Sequence, residues 1–225
     1  KILFVSTSPS IDEVSLCTLR LHTSIVALRE NTGYDFGSYK MGIQYLYASQ
    51  TSLNQLVLTN DSVFGPLFDL ARIVERSTKY DLYGMTDSFE PLYHLQSYFI
   101  IYSQRVLASP CFSEFWHSVQ LVDMSKPNFK QEIIDLYEVG GTQFFMAKQF
   151  SVGAEFSFKS FIKHQFDVFL EQLDSASTKP NLKIKQFSIG CNPTHFYWEE
   201  LIKIGFPYIK RELLTKNPTN ADIYN

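Results

Sequence analysis

Apolar positions in this chain fall into short runs that alternate with segments of helical period. Ile2-Leu3-Phe4-Val5, closed by Ser6-Thr7-Ser8-Pro9-Ser10, predicts a buried strand and a turn. A helix is expected next, with Ser10 as its N-cap and Asp12-Glu13 in its first turn. His22 to Leu28 predicts a second strand, and Tyr39, Ile43 and Tyr47, spaced i, i+4, i+8, predict the helix that follows. Leu53 to Leu58 predicts a strand ending at Thr59-Asn60-Asp61-Ser62, ahead of Gly65-Pro66 and a helix through Leu70 and Ile73. Tyr80 to Tyr83 predicts a short strand, Gly84-Met85-Thr86-Asp87-Ser88 a loop, and His94 to Tyr102 a long strand.

From Phe112 the period becomes helical through Phe115, Trp116 and Val119, then Ile133, Leu136 and Tyr137. Gly140-Gly141 predicts a break, and Thr142 to Lys148 a restart. The Ser, Thr, Lys, Pro and Asn of residues 175 to 193 predict a surface loop around one weak strand. Strands alternating with helices at this interval predict an α/β fold with an at least partly parallel sheet. No repeat, low-complexity tract or long linker interrupts residues 1–225, which predicts a single domain with a helical C-terminal third. Sheets of this kind bind ligands beyond the carboxyl ends of their strands, where the polar clusters at Asn31–Gly37 and Thr59–Ser62 fall.

At 225 residues and 45% apolar side chains, the chain can bury roughly 70% of its unfolded surface, which excludes disorder and a disulfide scaffold. Twenty Lys plus Arg against 23 Asp plus Glu leave a charge of −3, which argues against nucleic acid as a partner. Cys17, Cys111 and Cys191 have no CxxC spacing and read as buried thiols of a reducing cytoplasm. No apolar run approaches the ~20 residues of a membrane span, and the opening strand leaves no signal peptide in this reading. Twenty Phe and 13 Tyr predict a rigid aromatic core, although a sugar-binding groove would look the same.

Asp61, at the end of an apolar strand, is a candidate ligand for Mg²⁺ or Mn²⁺ bridged to a diphosphate; the alternative is an Asx-turn or helix cap. Asn31-x-Gly33-x-Asp35-x-Gly37 lets backbone N–H groups approach a phosphate or sugar, or serves as a structural turn with Asp35 favoured by the helix dipole. Glu138, before the two glycines, is a candidate general base, against a solvated surface charge. His94 and Gln96 share a strand face and could hydrogen-bond a substrate, against a satisfied core histidine. His195 and Trp198 read as packing or capping first and as a sugar contact second. There is no GxSxG elbow and no dinucleotide or P-loop fingerprint.

Taken in order, Arg-Glu-Asn-Thr-Gly-Tyr-Asp-Phe-Gly-Ser-Tyr from Arg29, Thr-Asn-Asp-Ser with Gly65-Pro66, and His94-x-Gln96-Ser97-Tyr98-Phe99 resemble the rhamnan synthesis protein F family. Tyr137-Glu138-x-Gly140, Asn192-Pro193 to Trp198, and Pro207-x-Ile209-Lys210-Arg211-Glu212-Leu213-Leu214 continue the likeness, which spans about 29 to 214. The resemblance implies a GT-A-like, Rossmann-like mostly parallel sheet flanked by helices, and a glycosyltransferase of bacterial surface polysaccharide synthesis. It further implies a nucleotide-sugar donor, with rhamnose as the sugar in the family's name, and an oligosaccharide or lipid-linked acceptor. Inverting transfer at the inner face of the plasma membrane, with peripheral attachment, belongs to the same picture.

Carried over by position, Asn31, Gly33, Asp35, Gly37 and Asn60 would hold the donor and His94 and Gln96 the acceptor, with Asp61 on a divalent cation and Glu138 as base. Thr59 stands where the first carboxylate of a DxD motif would be, which weakens the metal site. The chain also starts at what would be the second strand of such a fold. A non-catalytic carbohydrate-binding or scaffold module is the rival reading. An enzyme that forms nucleotide-sugars ranks last, because no Gly-rich triphosphate loop is visible.

Overall fold

The computed structural model of the protein describes residues 1–120, 125, 127–175, 192–218 and 220. In chain order the first elements are β1 (Leu3–Ser6), α1 (Glu13–His22), β2 (Ile25–Leu28), α2 (Tyr34–Ala48), β3 (Gln55–Thr59), β4 (Val63–Phe64) and α3 (Ala71–Ser77). Next come β5 (Leu82–Ser88), β6 (His94–Leu95), β7 (Phe99–Ser103), α4 (Gln104–Leu107), α5 (Pro110–Ser118) and α6 (Phe129–Ile133). A π-helical turn over Ile134–Val139 leads into α7 (Gly140–Ala147), followed by β8 (Val152–Phe156) and α8 (Phe158–Ser175). The last described elements are α9 (Pro193–Phe196), α10 (Trp198–Lys203), β9 (Ile209–Lys210) and α11 (Arg211–Thr215).

The chain sorts into two compact units, one from Lys1–Leu56 and Gln104–Gln149 and the other from Val57–Ser103 and Phe150–Asn225. In the first unit β1 and β2 pair in parallel, from Leu3 opposite Ile25 to Ser6 opposite Leu28. The backbone of α2 comes close to β1 at Gly42, where a Cβ would stand 2.9 Å from the Leu3 side chain. Trp116 of α5 is the hub of that unit's aromatic packing, with the rings of Phe36, Tyr39, Phe112 and Phe115 all within 6.4 Å between centroids. Each fully buried ring contributes about 1.5–3 kcal/mol relative to exposure.

The second unit is built on β5, which is buried at all seven of its positions. It pairs antiparallel with β7 and β6 and parallel with β8, while β3 borders β7 at the edge. Strand β4 pairs antiparallel with β9, setting Val63 opposite Lys210 and Phe64 opposite Ile209. Met85, Tyr98, Phe99, Ile101, Leu201 and Phe206 sit at the centre of this unit's apolar core.

The α/β class holds, and the strands predicted at residues 2–5 and 53–58 are present as β1 and β3, although β1 is not buried as expected: Phe4 is exposed and Leu3 and Val5 are half-buried. The mostly parallel sheet is corrected: β5 takes two antiparallel neighbours and one parallel neighbour. Residues 84–88 are strand rather than loop, because their polar side chains find partners inside the protein. The long strand at 94–102 is divided by Gln96-Ser97-Tyr98 into β6 and β7, and His22 belongs to α1 rather than to a strand. The N-cap of α1 is Asp12, not Ser10; its carboxylate accepts the Ser15 N–H at 2.9 Å and the Ser15 hydroxyl at 2.6 Å.

Helix continues across Gly140-Gly141, since a side chain at Gly141 would meet the Phe115 ring at 2.8 Å and the packing favours the glycine in place. Strand β8 was absent from the pattern reading. The loop expected at 175–193, and Cys191 with it, lies almost wholly outside the described residues, and Cys17 is exposed rather than buried.

Gly65 joins β4 to the chain around Pro207, with φ at +138° and room for no side chain: a Cβ would stand 2.4 Å from the Pro207 carbonyl oxygen. Gly65→Ala is therefore expected to lower stability by about 1–3 kcal/mol, read as an earlier urea midpoint with an unchanged slope. An unaltered midpoint would contradict this close approach.

Candidate functional site

In the first unit, the segment from Asn31 to Gly37 is folded around the Arg29 side chain. Its guanidinium donates to the Thr32 carbonyl, to Thr32 Oγ1 at 3.1 Å, to Ser38 Oγ at 3.0 Å and to the Tyr34 carbonyl at 3.4 Å. Burial lowers the Arg29 pKa from its ordinary value. Gly33 caps α2 in the left-handed region at φ +71°, and Tyr34 follows at φ +53°, unusual for a residue with a side chain. A Cβ on Gly37 would stand 2.3 Å from the Thr32 carbonyl oxygen, so the second glycine lets the segment close on Arg29. Asp35 lies in the first turn of the helix, as expected, and Asn31 is exposed.

Glu138 is half-buried in the π-helical turn, with the Thr142 hydroxyl donating to its backbone carbonyl at 3.3 Å. Phe36 and Tyr137, the chain neighbours of Asp35 and Glu138, pack with their ring centroids 5.5 Å apart. Tyr34 meets Phe129 of α6 edge to face at 6.1 Å. The start of α2 and the turn bearing Glu138 thus share one neighbourhood, fastened by rings.

In the second unit, Asn60 Oδ1 accepts the Ser62 N–H at 3.0 Å, which makes the strand end an Asx-turn. The Asp61 carboxylate stands 80% exposed, and Oδ2 accepts from Arg211 Nη1 at 2.5 Å. The Arg211 N–H donates to the Ser62 carbonyl at 2.9 Å, and Lys210 Nζ lies 3.5 Å from Ser62 Oγ and 4.3 Å above the Tyr98 ring. In the sequence Lys210 and Arg211 stand out only as part of the Pro207–Leu214 motif. The β4–β9 pairing brings them to Asp61, and their opposite charges were the available signal.

His94 and Gln96 are 3% and 5% exposed. His94 Nδ1 lies 2.9 Å from the Leu92 carbonyl, and Gln96 Oε1 accepts the Thr86 hydroxyl at 2.6 Å. Thr86 Oγ1 also lies 2.7 Å from the Tyr98 hydroxyl, so the Gln96 network and the Asp61 loop share Tyr98, whose carbonyl accepts the Asn60 N–H at 3.3 Å. Asp87 escaped the sequence reading: its carboxylate, 3% exposed, accepts the Phe158 N–H at 2.5 Å. Burial raises the Asp87 pKa, against the opposing pull of the Phe158 N–H and the Tyr93 hydroxyl.

His195 and Trp198 fall in different helices; Asn192 caps the first, accepting the Thr194 N–H at 3.0 Å. Among the described residues no group of three or more His, Cys, Asp or Glu side chains could hold a metal ion. A dication at Asp61 would find one carboxylate, already engaged by a guanidinium. One or two carboxylates, completed by substrate phosphates and water, are all that a diphosphate-bound Mg²⁺ takes from a protein, and here Arg211 competes for the one at Asp61. Among the described residues no helix is long and apolar enough to cross a membrane.

Residues 2–218 match the family model described as rhamnan synthesis protein F. The chain belongs to the rhamnan synthesis protein F family. It is 32% identical over 203 residues to the virulence protein VirA of Vibrio anguillarum (strain ATCC 68554 / 775), a match that covers 85% of this chain and 62% of VirA. It is 26% identical over 145 residues to the uncharacterized protein y4gN of Sinorhizobium fredii (strain NBRC 101917 / NGR234), covering 62% of this chain and 37% of y4gN. The chain thus spans less than two thirds of the length of these relatives, and no solved structure matches it. Within this rhamnan synthesis F chain the motifs at 59–66 and 207–214 form one structural piece through β4 and β9.

Asp87 makes that second unit sensitive to pH. Its folded pKa lies above the ordinary 3.8, so its stabilising contribution is complete below that value and is lost as pH rises through the folded pKa. Asp87→Asn, neutral throughout, is expected to show a flatter profile of melting temperature against pH above the ordinary aspartate range. A wild-type-minus-variant difference that stays constant with pH would contradict it.

Proposed function

We propose that the protein is a glycosyltransferase that moves a sugar, rhamnose first to be tried, from a nucleotide-sugar donor to an oligosaccharide or lipid-linked acceptor of a growing surface polysaccharide. The observation that carries this reading is the family match across nearly the whole chain. A GT-A type donor site and action at the inner face of the plasma membrane belong to the proposal. In this reading Asn60 holds the donor, and His94 and Gln96 of the same unit support the acceptor side from inside the protein.

Glu138 is the proposed base. Its carboxylate takes the acceptor hydroxyl proton as that oxygen bonds to the anomeric carbon; the bond from this carbon to the diphosphate oxygen breaks, and the nucleoside diphosphate departs with the electron pair. Attack opposite the leaving group inverts the anomeric centre. A π-helical turn supports this role, because such turns are rare and frequent at functional sites, and here the turn carries the acid beside the ring-fastened start of α2.

A thermal-shift panel of nucleotide-sugars identifies the donor, since a ligand of the native state raises the melting temperature by mass action. With that donor, Glu138→Gln is expected to slow transfer about 10²–10⁴-fold while leaving nucleoside diphosphate binding intact. Transfer at the wild-type rate would remove Glu138 from the mechanism. A protein that binds sugar, ignores every nucleotide and transfers nothing would instead be a carbohydrate-binding module.

A further inference from the structure

Asp61 stands at a strand end flanked by two basic side chains. Backbone pairing across β4 and β9 and the Arg211 N–H to Ser62 carbonyl bond hold Lys210 and Arg211 beside this strand end. Glu212, the next acid along the chain, accepts Lys216 Nζ with Oε1 at 3.0 Å, and its Oε2 lies 3.9 Å from His195 Nε2. Lys210 and Arg211 thus place two cations at the strand end that carries the Asp61 carboxylate.

That carboxylate holds its guanidinium weakly. Asp61 and Arg211 are 80% and 47% exposed, and an ion pair this open to solvent is screened and contributes little. A diphosphate offers an arginine fork parallel acceptors and more negative charge than one aspartate, so the exchange of partners favours the phosphate. Lys210, poised over the Tyr98 ring, contributes a second positive charge close to Ser62.

We infer that Lys210 and Arg211 bind the diphosphate of the nucleotide donor in place of a divalent cation, and that Asp61 is the internal carboxylate that holds Arg211 until the diphosphate displaces it. The inference rests on the donor reading above and deepens it. It also reverses the expected role of Asp61: a metal ligand helps the diphosphate bind, whereas an internal competitor hinders it.

Calorimetric titration of the whole chain with UDP, GDP, dTDP and inorganic pyrophosphate, in excess EDTA and in saturating Mn²⁺, decides between the two. At least one diphosphate is expected to bind in EDTA within about threefold of its affinity in Mn²⁺. Lys210→Ala and Arg211→Ala are each expected to weaken it about tenfold, and Asp61→Ala to leave it unchanged or tighter. Should Arg211→Ala fail to fold, Arg211→Lys, which keeps the charge and loses the fork, is expected to bind measurably less tightly. Binding that requires Mn²⁺, disappears in Asp61→Ala and ignores Lys210 and Arg211 would overturn the inference and leave the transferase reading standing. Failure of every diphosphate to bind under both conditions would overturn the two together.

Discussion

A polar side chain on a strand that is buried at every position must find its partner inside the protein, and β5 imposes that requirement at both of its ends. Just before the strand, Asp81 accepts the Ser151 N–H and hydroxyl at 2.8 and 2.9 Å; one residue from its end, Asp87 accepts the Phe158 N–H at 2.5 Å. Ser151 precedes β8 and Phe158 follows it. Two carboxylates therefore fix the register of the parallel β5–β8 pair from outside the ladder. A slip of one residue would strand both charges without donors, at a cost of several kcal/mol each.

The same rule explains which parts of the fold were legible. Runs such as Leu3 to Val5, and Leu56 to Leu58 within the expected 53–58 strand, declare themselves because apolar side chains need only company. Gly84-Met85-Thr86-Asp87-Ser88 reads as a loop because its polarity is visible in one dimension while Gln96, Tyr98 and Phe158, which satisfy it, are not. Strand β8 hides likewise: Glu155 looks solvent-facing, yet its carboxylate accepts the Tyr83 hydroxyl at 2.7 Å and pairs with Arg76. At Gly140-Gly141 local propensity argued for a break worth about 1 kcal/mol per glycine, and packing against Phe115 outweighed it.

The candidate site divides along similar lines. The Asn31–Gly37 segment was recognisable from its glycines, because close backbone approach leaves that trace in sequence. Its organising group, Arg29, was not, since an arginine that donates to backbone carbonyls has no distinctive neighbour to reveal it. Asp61 was readable as a strand-end acid, but its partner stands 150 positions away, and only the pairing of two two-residue strands brings them together.

Net charge misleads about such a place. At −3 the chain as a whole repels an anionic donor, yet charges separated by more than the Debye length, about 8 Å at physiological salt, scarcely sense one another. What an arriving diphosphate meets is the field of groups within contact distance. At the end of β3 those groups include the Lys210 and Arg211 cations beside the Asp61 carboxylate. The net charge argues only against nucleic acid; the β4–β9 pairing is what sets two basic side chains at this strand end.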